Sequence, residues 1–399
     1  MIYKTHIAFY RYIFTILTLL LLCEPGLNGA EITVGAGRVS LYRPLLDGKR
    51  VALLSNHTGM VGDRHTLDVM LDNGIDVVTL FSPEHGFRGT ADAGEHVKNG
   101  VDAATGLPIA SLYTGTGKGI APEVMQGLDV IVVDLQDVGT RFYTYYITMI
   151  KVMEEAAAAG KEVVVFDRPN PLGMVVDGPV LDMSLRSGVG RLPVPVLHGM
   201  TLGELAGMAN GEGWLRGGKE VKLTVVPCEG YTHAMRYELP VAPSPNLRDM
   251  TAIYLYPSLC FFEGTSASVG RGTDFPFKVY GHPLMKARGF TFTPRSVPGA
   301  KNPPLLNRRC NGVDLRTVDH DSLIARGVDF SYIIDAYKAM PASARAKFFT
   351  SFFDKLAGNT KVRRMITDGV PADKIKASWS DEVSRFKKLR SKYLLYPES

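Results

Sequence analysis

Tryptophan and cysteine are scarce in this chain, with two and four residues among 399, and neither sign of charge dominates. Lys and Arg total 45 against 40 Asp and Glu, a net charge of +5. No cluster of basic residues is dense enough to grip a phosphate backbone, so nucleic acid is not an expected partner. The basic tail Phe386-Lys387-Lys388-Leu389-Arg390 reads as one face of an amphipathic terminal helix. Beyond residue 30 only Cys228, Cys260 and Cys310 remain, with no Cys-x-x-Cys. So sparse and odd a set excludes a disulfide framework, and a chain of this length can build a stable core without one.

Several sequence signatures are also missing. No Gly-x-Gly-x-x-Gly follows the first strand-like run and no Gly-x-Ser-x-Gly occurs, which counts against a bound dinucleotide and a serine hydrolase elbow. Gly115-Thr116-Gly117-Lys118-Gly119 imitates a phosphate loop, but Gly119 stands in the Ser/Thr place and Leu112 where the first glycine belongs. His57, His85, Asp92 and His96 match no metal-ligand spacing, so neither metal nor cofactor is expected.

The longest apolar run, Ile13 to Leu22, is about half of a bilayer span and is followed by Pro25-Gly26. With Lys4 and Arg11 before it and Asn28-Gly29-Ala30 after it, residues 1–30 read as an export signal cut near Ala30. That reading ranks ahead of a retained anchor. Cys23 offers a site for lipidation, although Leu22 is bulkier than the residue that usually precedes such a cysteine. Cleavage removes Lys4, Arg11 and Glu24 and leaves a net charge of +4 on a mature protein with no membrane span. The expected location is periplasmic or secreted.

Four short apolar runs, at 50–54, 75–81, 128–135 and 162–166, alternate with helix-like segments. Such runs read as parallel strands buried on both faces, joined by right-handed crossovers. The expected fold class is α/β, a Rossmann-like three-layer parallel sheet over 31–188. An α+β domain over 189–399 follows, with a strand at 221–227 and helices near 321–340, 343–357 and 380–393. Thr201 and Glu204 fit a capping box that opens a helix.

Each of the four runs ends in polar residues, and ligands of open parallel sheets bind beyond the carboxyl ends of the strands. Asn56, His57, Glu84, His85, Asp134, Asp137, Asp167 and Arg168 therefore converge on one expected crevice. Ser55, Asn56 and Asp137 suit helix caps equally well. Glu84 carries the strongest local case, with Pro83 before it and Gly86 after it at a strand end. The stretch 243–283 adds Asn246, Glu263, Arg271 and Asp274 among aromatic residues, a composition suited to a polar ring such as a sugar. Tyr256, Phe261 and Phe262 read as core.

Nine segments in fixed order resemble the exo-β-N-acetylmuramidases, glycoside hydrolase family 171. Among them are LLSNHTG at 53–59, FSPEHGFRG at 81–89, DVIVVDLQDVGTRFYTY at 129–145, FDRPNPLG at 166–173 and LYPSLCFFEGTSASVGRGTDFPF at 255–277. Met174 and Ser266-Ala267 depart from the family pattern. The resemblance implies two domains with the active site between them. It also implies release of N-acetylmuramic acid from the non-reducing ends of peptidoglycan fragments, and cell-wall recycling. The family's proposed catalytic glutamate carries over to Glu84. Asp137, Asp167, Glu263 and Asp274 compete for the second catalytic role, with the substrate's acetamido group as an alternative nucleophile. Arg88, Arg141, Arg168 and Arg271 are candidates for the lactyl carboxylate. The competing readings are a non-catalytic binder of peptidoglycan fragments and a different exported hydrolase, an esterase or deacetylase.

Overall fold

Alternate residues of the central strands point to opposite faces, and both sets are apolar. In the computed structural model, which describes residues 32–84, 86–87, 99–112 and 119–399, this pattern produces a three-layer arrangement. Strands β1 (Val51–Ser55), β4 (Val77–Ser82), β7 (Val130–Asp134) and β8 (Glu162–Phe166) realise the four apolar runs. Between β1 and β4 lies a short hairpin of β2 (Met60–Val61) and β3 (Arg64–His65). Strands β5 (Gly100–Val101), β6 (Pro108–Ser111) and β9 (Lys222–Val226) complete a seven-stranded sheet in the order β5-β6-β4-β1-β7-β8-β9. All its neighbours pair in parallel except β5 with β6, so the sheet is mixed at one edge.

Val51, Leu53, Val130, Val132, Val164 and Phe166 pack with Tyr42, Leu46, Leu67 and Met70 from helices Val39–Leu46 and Thr66–Asp72. Ala52, Leu54, Ile131, Val133, Val163 and Val165 pack on the other face with Met149, Ile150, Leu205 and Met208, from helices Tyr145–Ala159 and Leu202–Gly211. Gly160 ends the helix Tyr145–Ala159, left-handed at φ 66°. Thr201 and Glu204 form the anticipated reciprocal capping box. The strand expected near 221–227 is β9, so the sheet takes in chain beyond residue 188.

Beyond this sheet come a three-stranded antiparallel sheet, β10 (Val279–His282), β12 (Cys310–Asp314) and β11 (Phe290–Phe292), and short helices to Ser380–Arg390. The helix Met250–Leu259, continued by a 3-10 turn over Cys260–Gly264, was not anticipated. Pro257 lies inside it and residues 252–259 are buried all round, so it has neither a polar face nor a periodic pattern to reveal it. Residues Thr33–Ser399 form one compact unit. The expected export signal, Cys23 included, lies outside the described residues. Among the described residues no helix is long and apolar enough to cross a membrane. Cys228, Cys260 and Cys310 are all free and buried.

Where β7 and β8 end, Arg168 donates through Nε to Asp134 Oδ1 at 2.6 Å and through Nη2 to Oδ2 at 3.0 Å. The same guanidinium reaches the Met60 carbonyl at 3.0 Å and pins the β2–β3 hairpin over the strand ends. Burial opposes the arginine's charge, but the Asp134 carboxylate outweighs it and holds Arg168 above its usual range. Arg168→Met should cost about 3–5 kcal/mol by leaving Asp134 charged, buried and unpaired. Urea denaturation checks this, and a loss under about 1 kcal/mol would refute the bracing role.

Candidate active site

Glu84 follows β4 in a tight turn closed by Gly86 N donating to the Pro83 carbonyl at 3.1 Å, with Gly86 at φ 77°. The side chain is largely buried, and Thr144 donates its hydroxyl to Glu84 Oε2 at 2.5 Å. Both residues line a cleft of about 750 Å3. Its walls combine Phe142 and Tyr143 from the loop after β7 and Tyr145 from the start of the helix Tyr145–Ala159 with Asn246, Tyr256, Glu263, Arg271 and Phe277, and with the segment 299–304. Glu84 and Glu263 are the two carboxylates among the described lining residues.

Aromatic edges shape this cleft. Tyr256 meets Phe142 at 5.2 Å, Phe277 at 4.9 Å and Tyr143 at 6.1 Å, each edge to face. Tyr143 and Tyr145 both donate their hydroxyls to the Pro243 carbonyl, at 2.9 and 3.1 Å. Burial raises both phenols above their ordinary range, and the Glu84 carboxylate contributes at Tyr145. Both stay neutral donors. Arg271 donates through Nε to Glu263 Oε1 at 2.5 Å and lies over the Phe277 ring at 4.9 Å. Asn246 donates to the Gly299 carbonyl at 2.9 Å and ties the 299–304 segment to the opposite wall.

The cleft thus gathers Glu84, Asn246, Glu263 and Arg271 from the candidates named on sequence. The other candidates among the described residues are not part of its lining. Asn56 accepts from the Thr58 amide and hydroxyl at 3.1 and 2.6 Å, closing its own turn. His57 Nε2 contacts the Ala242 carbonyl at 2.9 Å. Arg141 is fully buried and donates to the carbonyls of Pro179, Val194 and Leu356 at 2.5, 3.0 and 2.7 Å. Burial lowers its pKa to about 10. It staples three chain segments together and does not reach the cleft lining. Asp167 accepts from Thr201 Oγ1, Gly203 N and the Tyr396 hydroxyl at 2.6, 2.8 and 2.7 Å. Arg168 is committed to Asp134, and Asp274 is exposed outside the lining. His85 and Arg88 lie outside the described residues. Among the described residues no group of three or more His, Cys, Asp or Glu could hold a metal ion.

Tyr256, Phe261 and Phe262 are all core as expected, and Tyr256 also lines the cleft. Sequence reasoning also passed over Tyr143, Thr144 and Tyr145. Their signal was a run of hydroxylated residues at the start of a helix, in the connection that follows a strand's carboxyl end.

This architecture recurs in solved structures. A DUF1343 family protein of Bacteroides fragilis NCTC 9343 superposes with TM-score 0.86 at 50% identity, covering 93% of this chain and 100% of that one. A second DUF1343 protein of the same organism gives TM-score 0.78 at 28% identity, over 92% and 99%. Family models described as exo-beta-N-acetylmuramidase NamZ, N-terminal and C-terminal, match residues 51–251 and 254–396. The chain belongs to the NamZ exo-β-N-acetylmuramidase family. A relative from Bacillus subtilis (strain 168), named peptidoglycan beta-N-acetylmuramidase NamZ, is 38% identical over 373 residues, 89% of each chain. The boundary between the two NamZ models, at 251–254, falls at the start of the helix Met250–Leu259.

Asp137 stays out of the cleft lining, yet it titrates in an informative range. Oδ1 accepts from Gly139 N at 2.8 Å and Oδ2 from Tyr146 N at 3.3 Å. Burial nevertheless pushes its pKa from 3.8 up to about 7. A carboxyl raised in the folded state contributes stability that is fully present below its unfolded pKa and lost as pH rises through the folded one. Wild type should therefore gain stability relative to Asp137→Asn as pH falls from about 8 to about 5. Urea melts of both proteins across that range check it, and a pH-independent difference would contradict it.

Proposed function

We propose that this protein is an exo-acting β-N-acetylmuramidase that releases N-acetylmuramic acid from the non-reducing ends of peptidoglycan fragments, with Glu84 as general acid. The observation that carries this reading is the Glu84 carboxyl, sheltered at the edge of an aromatic-walled cleft with one oxygen engaged by Thr144. Glycoside hydrolysis needs a proton for the leaving oxygen and negative charge near an oxocarbenium-like centre. Glu84 supplies the proton and Glu263, the other lining carboxylate, supplies the charge. Paired with Arg271, the Glu263 carboxylate acts as an electrostatic stabiliser, and the substrate's acetamido group is the internal nucleophile. Among the described lining residues, Arg271 and Lys301 are the basic groups that would meet the lactyl carboxylate.

Hydrolysis of a chromogenic β-N-acetylmuramide tests the substrate. No release, with cleavage of an ester or a β-N-acetylglucosaminide instead, would defeat the muramidase reading. Saturable binding of muropeptides without turnover would favour a pure binding protein. Glu84→Gln should lower kcat about 100- to 10,000-fold while the fold stays intact; full retained activity would move the acid role elsewhere.

We also propose that the protein is exported, on the leader-like composition of residues 1–30. Mass spectrometry of protein recovered from the cell envelope or medium should find the chain starting just after Ala30. A chain that starts at Met1 would refute cleavage.

A further inference from the structure

The helix Tyr145–Ala159 begins with its own capping group turned away. Thr144 holds the N-cap position, where a threonine hydroxyl ordinarily accepts from a first-turn amide, but no such bond forms. The hydroxyl instead donates to Glu84 Oε2 at 2.5 Å. The first turn is served from outside the helix, since Asp137 Oδ2 accepts from Tyr146 N at 3.3 Å. A carboxylate from the loop after β7 has taken over the capping task, and this releases the threonine hydroxyl for the cleft.

The backbone at Thr144 is held on both sides. Tyr143 and Tyr145 are anchored through their hydroxyls on the Pro243 carbonyl. The Thr144 carbonyl accepts from Thr148 N at 3.0 Å and from Thr148 Oγ1 at 3.2 Å. A hydroxyl on so fixed a backbone is a rigid donor.

We propose that Thr144 is a positioning residue for the reaction: its hydroxyl, freed from capping by Asp137, orients Glu84 and directs the transferable proton to Oε1. This inference rests on the reading of Glu84 as general acid. Oε2 accepts the Thr144 hydroxyl, so an acid proton carried on Oε1 leaves that bond intact. In the reaction that proton passes from Oε1 to the glycosidic oxygen as the acetamido oxygen bonds to C1 and the bond from C1 to the glycosidic oxygen breaks, its electron pair staying with that oxygen. Water then attacks C1, the acetamido oxygen leaves with its electron pair, and the water proton returns to Glu84. Thr144 exchanges no atom. Its bond strengthens as Glu84 becomes charged, so it acts chiefly on the transition state and on kcat.

Among the described residues, the other titratable groups lining the cleft with Glu84 are Tyr143, Tyr145, Tyr256, Glu263, Arg271 and Lys301, all unchanged by substitution at Thr144. Kinetics on a chromogenic β-N-acetylmuramide, measured against pH, test the proposal with Thr144→Val, Thr144→Ala, Thr144→Ser and Glu84→Gln. Val and Ala should each lower kcat about 10- to 100-fold, with KM within about twofold of wild type. The basic limb of their kcat profile should move to higher pH, because the lost donor no longer favours the charged glutamate. Ser should restore both the rate and the limb. Melting curves check folding, and if Val does not fold, Ala decides. A kcat loss with an unmoved limb and no rescue by Ser would reduce Thr144 to a structural residue and overturn the proposal. If Glu84→Gln is inactive while Val and Ala keep wild-type kcat, the positioning role alone fails. If Glu84→Gln is fully active, the reading of Glu84 fails and this inference falls with it.

Discussion

Three parallel strands end side by side inside the protein, and the polar groups buried at those ends pair largely with one another. The Arg168–Asp134 pair is the keystone of that arrangement, joining the ends of β7 and β8 and reaching across to the Met60 carbonyl. Around it Gln136 donates to the carbonyls of Asp137 and Pro169, at 2.9 and 2.8 Å. Asn170 donates to the Met200 carbonyl at 2.9 Å and accepts from Leu172 N at 2.8 Å. A buried polar group left unmade costs about 1–3 kcal/mol, so the loops at these ends are held to one arrangement. Gly139 belongs to the same constraint: at φ 78°, a Cβ there would lie 2.1 Å from Asn170 Oδ1.

A fixed set of strand ends is what allows a precise cleft to be built one layer further out. The loop after β7 leaves this network at Asp137 and Gly139 and then delivers Phe142, Tyr143, Thr144 and Tyr145 to the cleft wall. Two tyrosine hydroxyls on the Pro243 carbonyl join that wall to the C-terminal half of the lining, and Asn246 carries the connection on to Gly299. Neutral phenols, aromatic edges and one ion pair leave a surface that is apolar on its faces and polar at chosen points. A sugar ring presents the same division between its face and its hydroxyl rim.

The strands were legible because burial on both sheet faces requires unbroken apolar runs, as in VALLS, VIVVD and EVVVF. The helix Met250–Leu259 was not, since complete burial removes the polar face that periodicity depends on and Pro257 argues against a helix. Among candidate site residues, Glu84, Asn246, Glu263 and Arg271 do line the cleft. Arg141, Asp167 and Arg168 have the composition of a binding site and the partners of a structural network. A charged side chain at a strand end looks the same in sequence whether it turns inward to close a loop or outward to meet a ligand.

From the sequence alone, then, came the sheet, the carboxyl-end location of the polar loops and the prominence of Glu84, all properties of local pattern and strand direction. Tertiary structure decided which of those polar residues had already spent their hydrogen-bonding capacity on one another. It also decided that Asp137, a carboxylate seven residues earlier than Thr144, would cap the helix and turn the Thr144 hydroxyl toward Glu84. Such choices depend on which groups meet across the strand ends, and on the free energy of leaving any of them unpaired, neither of which is written in the local sequence.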